Sequence, residues 1–153
     1  MFKSATWCLC ALTLLGCELA ADNRSLDEIV DSWLAEQSLT RAGDCGALAT
    51  CTLDDSQMDE EAMTCLDAAW AACEARVGSW TQTTVEGDPI HSLVVPVPDG
   101  DGCQLAVFID TREDAYGSPS VLVQRCSGLT REEAACPPID VDGCGTVETL
   151  VGG

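Results

Sequence analysis

The sequence predicts an α+β fold, with two or three helices packed on one face of a four-stranded antiparallel meander and cross-linked by disulfides. Three observations predict it. Residues 25–43 and 56–78 carry apolar side chains at helical spacing. From residue 79 the pattern changes to short alternating runs separated by Gly, Pro and Asp turn signals. Helical runs followed by strand runs imply α+β rather than an alternating parallel architecture. Finally, eight cysteines lie between residues 45 and 144, an even number suited to a disulfide framework.

The first helix is predicted from SLDEIVDSWLAEQSLTRAG. Ser25 and Glu28 form an S-x-x-E capping box. Leu26, Ile29, Val30, Trp33 and Leu34 share one face, and Gly43 is the predicted stop. Cys45 and Cys51 then fall in a connection. The second helix is predicted from DSQMDEEAMTCLDAAWAACEARVG, capped by Ser56 and ended by Gly78. Asp59, Glu60 and Glu61 suit the positive end of its dipole. Met58, Ala62, Cys65, Leu66, Ala69, Trp70, Cys73 and Val77 form its apolar stripe. Cys65 and Cys73 on that stripe are candidates to join Cys45 and Cys51. Trp33, Met58, Met63 and Trp70 read as core.

Four strands follow: WTQTTVE, IHSLVVPV, CQLAVFID and SVLVQRC. Their connections are EGDPI, PDGDG and TREDAYGSP. Pro96 inside the second strand implies an edge or a bulge. Cys103 and Cys126, at the outer ends of the third and fourth strands, are placed to face each other. Thr130 and Glu133 form a second capping box, on a short helix ending near Cys136-Pro137-Pro138. The Gly-rich tail IDVDGCGTVETLVGG is expected to fray at its end.

The N-terminus carries an address. Lys3 precedes an uncharged run, Ala5 to Leu15, of eleven residues, too short for the roughly 20 needed to cross a bilayer. A basic start, a short apolar run and small residues beyond it describe an export signal. Its end, Leu14-Leu15-Gly16-Cys17, resembles the lipobox of bacterial lipoprotein precursors. That resemblance implies cleavage between Gly16 and Cys17 and acylation of Cys17. Stable anchoring needs at least two acyl chains, which a triacylated cysteine supplies. By the same lipoprotein resemblance, Glu18 rather than Asp after the cysteine implies the outer membrane or cell surface. The organisation expected is a lipoprotein signal peptide over 1–16, a polar tether over 17–24, one disulfide-rich domain over 25–146 and a flexible tail over 147–153.

The mature chain would carry six arginines against 26 acids, a formal charge of −20. Such a field repels nucleic acid and anionic headgroups. Of eleven cysteines, Cys8 and Cys10 fall in the signal and Cys17 takes lipid. Cys45, Cys51, Cys65, Cys73, Cys103, Cys126, Cys136 and Cys144 remain for four disulfides, as befits an exported protein. No pair among them has zinc-knuckle or C-x-x-C spacing.

Glu86-Gly87-Asp88-Pro89-Ile90, then Asp110-Thr111-Arg112-Glu113-Asp114-Ala115-Tyr116-Gly117, then Cys126 and Cys144, resemble a family of small bacterial lipoproteins of unknown function. The likeness spans about residues 79–145 and rests on E-G-D-P-I and D-x-T-x-D-x-aromatic-G motifs. It implies a Cys126–Cys144 disulfide, leaving Cys103 for Cys136, and implies no chemistry.

Candidate catalytic groups are few. His91 is the sole histidine, and its neighbour Ser92 points to the opposite face of a strand, so the two cannot form a Ser-His pair. Asp99 with Asp101, or Asp110 with Asp114, read as turn residues before they read as an acid–base pair. Asp99-Gly-Asp101-Gly and Asp140-Val-Asp142-Gly resemble the opening of a calcium loop. Counting from either Asp, positions 5 and 12 do not fit the motif. A looser, weak Ca2+ site using Asp99, Asp101 or the stretch Asp110 to Asp114 stays open. No catalytic residue, metal site or cofactor is therefore assigned. The expected function is a non-enzymatic, membrane-anchored binding module whose partner is an envelope or extracellular protein or polymer. The alternative is a surface-displayed enzyme inhibitor, presenting loop 111–118, or a small hydrolase.

Overall fold

The computed structural model describes residues 22–52, 56–132 and 139–152. Among these residues the chain is mostly β, which overturns the helix-rich α+β expectation. The elements are α1 (Leu26–Glu36), β1 (Gly43–Cys51), β2 (Ser56–Met58), α2 (Glu60–Ala72), β3 (Arg76–Thr83), β4 (Pro89–Asp99), β5 (Gly102–Asp110), β6 (Ser120–Cys126), β7 (Gly128–Arg131), β8 (Ile139–Asp142) and β9 (Glu148–Gly152). Seven strands form one mixed sheet in the order β2-β1-β3-β4-β5-β6-β9, and β7 pairs with β8 in a separate hairpin. The predicted meander is the antiparallel run β3 to β6 at its centre. It gains strands at both edges.

Helix α1 begins where its capping box places it. Glu28 N donates to Ser25 Oγ at 3.2 Å, and Ser25 N donates to Glu28 Oε2 at 2.7 Å. It ends at Glu36, well before Gly43, because Ser38 turns left-handed at φ 61°. The following segment, read as a connection, is strand β1, parallel to β3. Its sequence GDCGALATC is short in β-branched residues, so the strand is dictated by the sheet beside it rather than by propensity.

Helix α2 starts one turn later than predicted. Its cap is Asp59, whose carboxylate accepts from Glu61 N and Ala62 N, while Ser56 belongs to strand β2. It ends at a left-handed Cys73, φ 51°, and Gly78 lies within β3. Gly78 has a packing role there: an added Cβ would meet Leu48 Cδ1 at 2.9 Å, and Leu48 is fully buried. Gly78→Ala is expected to destabilise the domain by about 1–3 kcal/mol through overpacking. The shift in urea midpoint measures it.

The helices lie on opposite faces of the sheet, not on one. Val30, Trp33 and Leu34 of α1 pack with Val77, Leu93, Val95, Ala106, Phe108 and Val123. Ala62, Met63 and Leu66 of α2 pack with Leu48, Trp80, Val94, Leu105, Val107 and, from the β7–β8 hairpin, Ile139. Strand β4 is buried on both faces, which explains its unbroken LVVPV. Pro96 is tolerated because pairing to β3 ends at Val94, leaving only β5 beside it.

Two further expectations change. Thr130 lies in β7 rather than capping a helix, and Glu133 to Pro138 lie outside the described residues. The tail expected to fray forms edge strand β9, antiparallel to β6.

The cross-links are Cys45–Cys65, Cys73–Cys103 and Cys126–Cys144, and Cys51 is also disulfide-bonded. The first ties β1 to α2, as the stripe suggested, and the third is the pair implied by the lipoprotein resemblance. Cys73 instead reaches Cys103, because the end of α2 lies over the start of β5. Neither Cys103–Cys126 nor Cys103–Cys136 forms. Gly16, Cys17 and Cys136 lie outside the described residues.

Candidate functional site

Two polar regions sit at opposite ends of the sheet face that α1 covers. The first is built from adjacent strands. The register sets Thr81 beside His91 and His91 beside Asp110. Thr81 Oγ1 and His91 Nδ1 share a hydrogen bond of 3.1 Å, and His91 Nε2 lies 3.8 Å from Glu113 Oε1. Asp110 accepts from Arg112 N, Nε and Nη2, at 3.0, 2.9 and 2.6 Å. Burial pushes the Asp110 carboxyl up, but the Arg112 hydrogen bonds outweigh it, and its pKa lies below the usual value. The same guanidinium donates through Nη1 to Asp22 O at 3.1 Å and Arg24 O at 2.7 Å. Arg112 thus clamps the segment that enters α1. Within that segment the Arg24 side chain holds the Asp22 carboxyl at a pKa of about 2.

The loops at this end are tied together. Asp88 Oδ2 accepts from Ala115 N at 3.0 Å, joining the β3–β4 turn to the β5–β6 loop. Asp114 Oδ1 accepts from Tyr116 N at 3.0 Å, and Gly117 leaves room for that carboxylate, 2.5 Å from where a Cβ would stand. Loop 111–118 is a braced turn, with Thr111 bonded to Ser118 and Ser120.

The Asp110–Arg112 pair makes a pH prediction. A carboxylate with a lowered folded pKa adds stability above its unfolded value near 3.8, and that stability is lost as pH falls below it. Asp110→Asn is expected to cost about 1.5–3 kcal/mol near neutrality, the usual worth of a charged hydrogen-bonded pair. The gap between variant and parent should close as pH drops from about 4 toward 2. A gap constant over that range, in denaturation midpoints, would contradict this account of the clamp.

The second region is a cleft of about 330 Å³ lined by Trp33, Gln104, Val123, Arg125, Gly143, Gly145, Thr146 and Glu148. Gly145 N donates to Arg125 O at 2.8 Å, and the Cys126–Cys144 disulfide holds the 143–145 wall against β6. The Arg125 guanidinium lies 5.0 Å over the Trp33 ring and donates from Nη2 to Gln37 Oε1 at 2.9 Å. The other five arginines, Arg24, Arg41, Arg76, Arg112 and Arg131, each ion-pair with a carboxylate. Among the described residues Arg125 alone has none, although acids outnumber bases by far. Its stacked, oriented fork suits a planar anion such as a carboxylate.

The sequence candidates fall as follows. His91 is half-exposed and Ser92 buried, so they do not meet, while Thr81 is the hydroxyl that does reach His91. Asp99 accepts from Gln104 Nε2 at 2.7 Å. Among the described residues no group of three or more His, Cys, Asp or Glu is placed to hold a metal ion. Of the residues read for a loose Ca2+ site, Asp99, Asp101 and the stretch Asp110 to Asp114, Asp99 bonds Gln104, Asp110 bonds Arg112 and Asp114 bonds Tyr116 N. Sequence reasoning missed Arg125 altogether, since only the fold shows which arginines find an acid. Among the described residues no helix is long and apolar enough to cross a membrane. The disulfides are compatible with an exported protein. In the stretch likened to small lipoproteins, Thr111 stands at the second position rather than the third. The chain matches no family model, no curated protein and no solved structure.

Proposed function

We propose that this chain is a lipid-anchored, non-enzymatic binding module of the cell envelope, and that the Arg125 cleft receives a carboxylate-bearing ligand. One observation carries the reading: an arginine with no acid partner among the described residues, stacked on Trp33 and opening into a cleft, in a chain otherwise dominated by acids. The cleft volume is at the small end of ligand sites. Gln104, Thr146 and Glu148 around it supply acceptors and donors for ligand hydroxyls or amides. Glu148 also disfavours ligands with several adjacent carboxylates. The anchor rests on the LLGC motif and the signal pattern, and supplies the address rather than the binding.

Calorimetric titration of the mature protein with an acidic oligosaccharide and with an acidic peptide tests it. Saturable binding to one of them, weakened tenfold or more by Arg125→Gln, is the expected result, since a charged hydrogen bond is worth about 1.5–3 kcal/mol. The two ligands distinguish a polymer partner from a protein partner. Binding indifferent to Arg125→Gln would remove the cleft from the reading.

A further inference from the structure

We infer that the sheet end clamped by Arg112 rests on the bilayer, with Val85 and Tyr116 in a zwitterionic headgroup layer, and that the Arg125 cleft faces away from the membrane. The inference rests on the lipid-anchored reading of Cys17. Its own support is positional.

Arg112 fixes the main chain at Asp22 and Arg24. Five residue steps separate Cys17 from Asp22, a reach of at most about 18 Å even fully extended. An acylated Cys17 therefore holds this end of the sheet close to the headgroups. The two loops at this end carry the most exposed large apolar side chains of the described residues, Val85 at 81 % and Tyr116 at 80 %. Both loops share the end where β3 meets β4 and β5 meets β6. The Asp88–Ala115 hydrogen bond holds them together as one surface. Tyrosine, apolar in body and polar at its tip, favours the membrane–water interface.

Charge selects the lipid. Glu86, Glu113 and Asp114 flank the two apolar tips. Anionic headgroups would repel them, with a range set by the ionic strength. The occupant is therefore a zwitterionic leaflet. Along β5, Asp110 at the clamped end and Gln104 at the cleft are six residues apart, about 20 Å. The cleft thus opens on the far side, where an envelope partner has access.

The test uses the full lipidated protein in phosphatidylcholine vesicles with brominated acyl chains. Tyr116→Trp and Val85→Trp place a reporter at the clamped end, and Asp101→Trp places one in the β4–β5 turn at the opposite end. Intact mass first establishes the acyl chains. With the chains present, the emission added at 116 and 85 should be largely quenched and that at 101 spared. Equal quenching at both ends, or none at 116 and 85, would overturn the orientation while leaving the anchor standing. A protein without acyl chains would remove the anchor and the orientation together. Replacing phosphatidylcholine by phosphatidylglycerol at low salt should reduce quenching at 116, and undiminished quenching would contradict the zwitterionic assignment.

Discussion

Reduction of the disulfides is expected to unfold most of this domain at physiological temperature. The Cys45–Cys65, Cys73–Cys103 and Cys126–Cys144 links close loops with sequence separations of 20, 30 and 18 residues. Chain entropy assigns each about 3 kcal/mol. Their combined loss, about 10 kcal/mol, is comparable with the whole stability of a small domain, about 5–15 kcal/mol. The three links also join different elements: β1 to α2, the end of α2 to β5, and β6 to the cleft wall. Replacing Cys45 and Cys65 by alanine together is expected to cost about 3 kcal/mol. Circular dichroism against temperature, with and without reductant, checks the first result. Urea denaturation of the double variant checks the second. A reduced protein with an unchanged melting curve would show that the core suffices alone.

Phe108→Ala is the largest expected effect of a single substitution. Phe108 is fully buried on β5, at the centre of the face covered by α1. Its ring meets Trp33 edge-on, with centroids 5.2 Å apart. Truncation removes the ring's transfer free energy and leaves a cavity, a cost of about 3–5 kcal/mol. Because Trp33 also forms the wall behind Arg125, the same variant should weaken binding in the cleft at temperatures where it is still folded. Val85→Ala, on an exposed turn, should fall within about 0.5 kcal/mol of the parent. Chemical denaturation of the pair measures the contrast. A Phe108→Ala variant as stable as Val85→Ala would contradict the packing of α1 on the sheet.

Much of the centre of the fold was legible in the sequence. The Ser25–Glu28 capping box marked the start of α1, and the turns EGDPI and PDGDG marked the hairpins around β4. The edges were not legible, for physical reasons. β1 is written in small residues, and its strand conformation comes from parallel pairing with β3, a contact that no local pattern announces. β9 is flanked by glycine and gains its order from β6. The helical stripe was right for Ala62, Leu66 and Ala69, but periodicity cannot say which sheet face a helix will cover. The clamp of Arg112 on Asp22 and Arg24 bridges about 90 residues, and the lack of an acid partner for Arg125 among the described residues is a property of the whole charge arrangement. Both sites emerge only once the chain is folded.

The intact mass of the protein purified from native membranes, before and after reduction, tests the central claim most directly. The account predicts a chain lacking residues 1–16, heavier by the acyl groups on Cys17, that gains two hydrogens for each of four disulfides on reduction. A chain beginning near Asp22 with no acyl groups would contradict the membrane-anchored reading. Thiols already free before reduction would contradict the cross-linked framework that supports both the fold and the cleft.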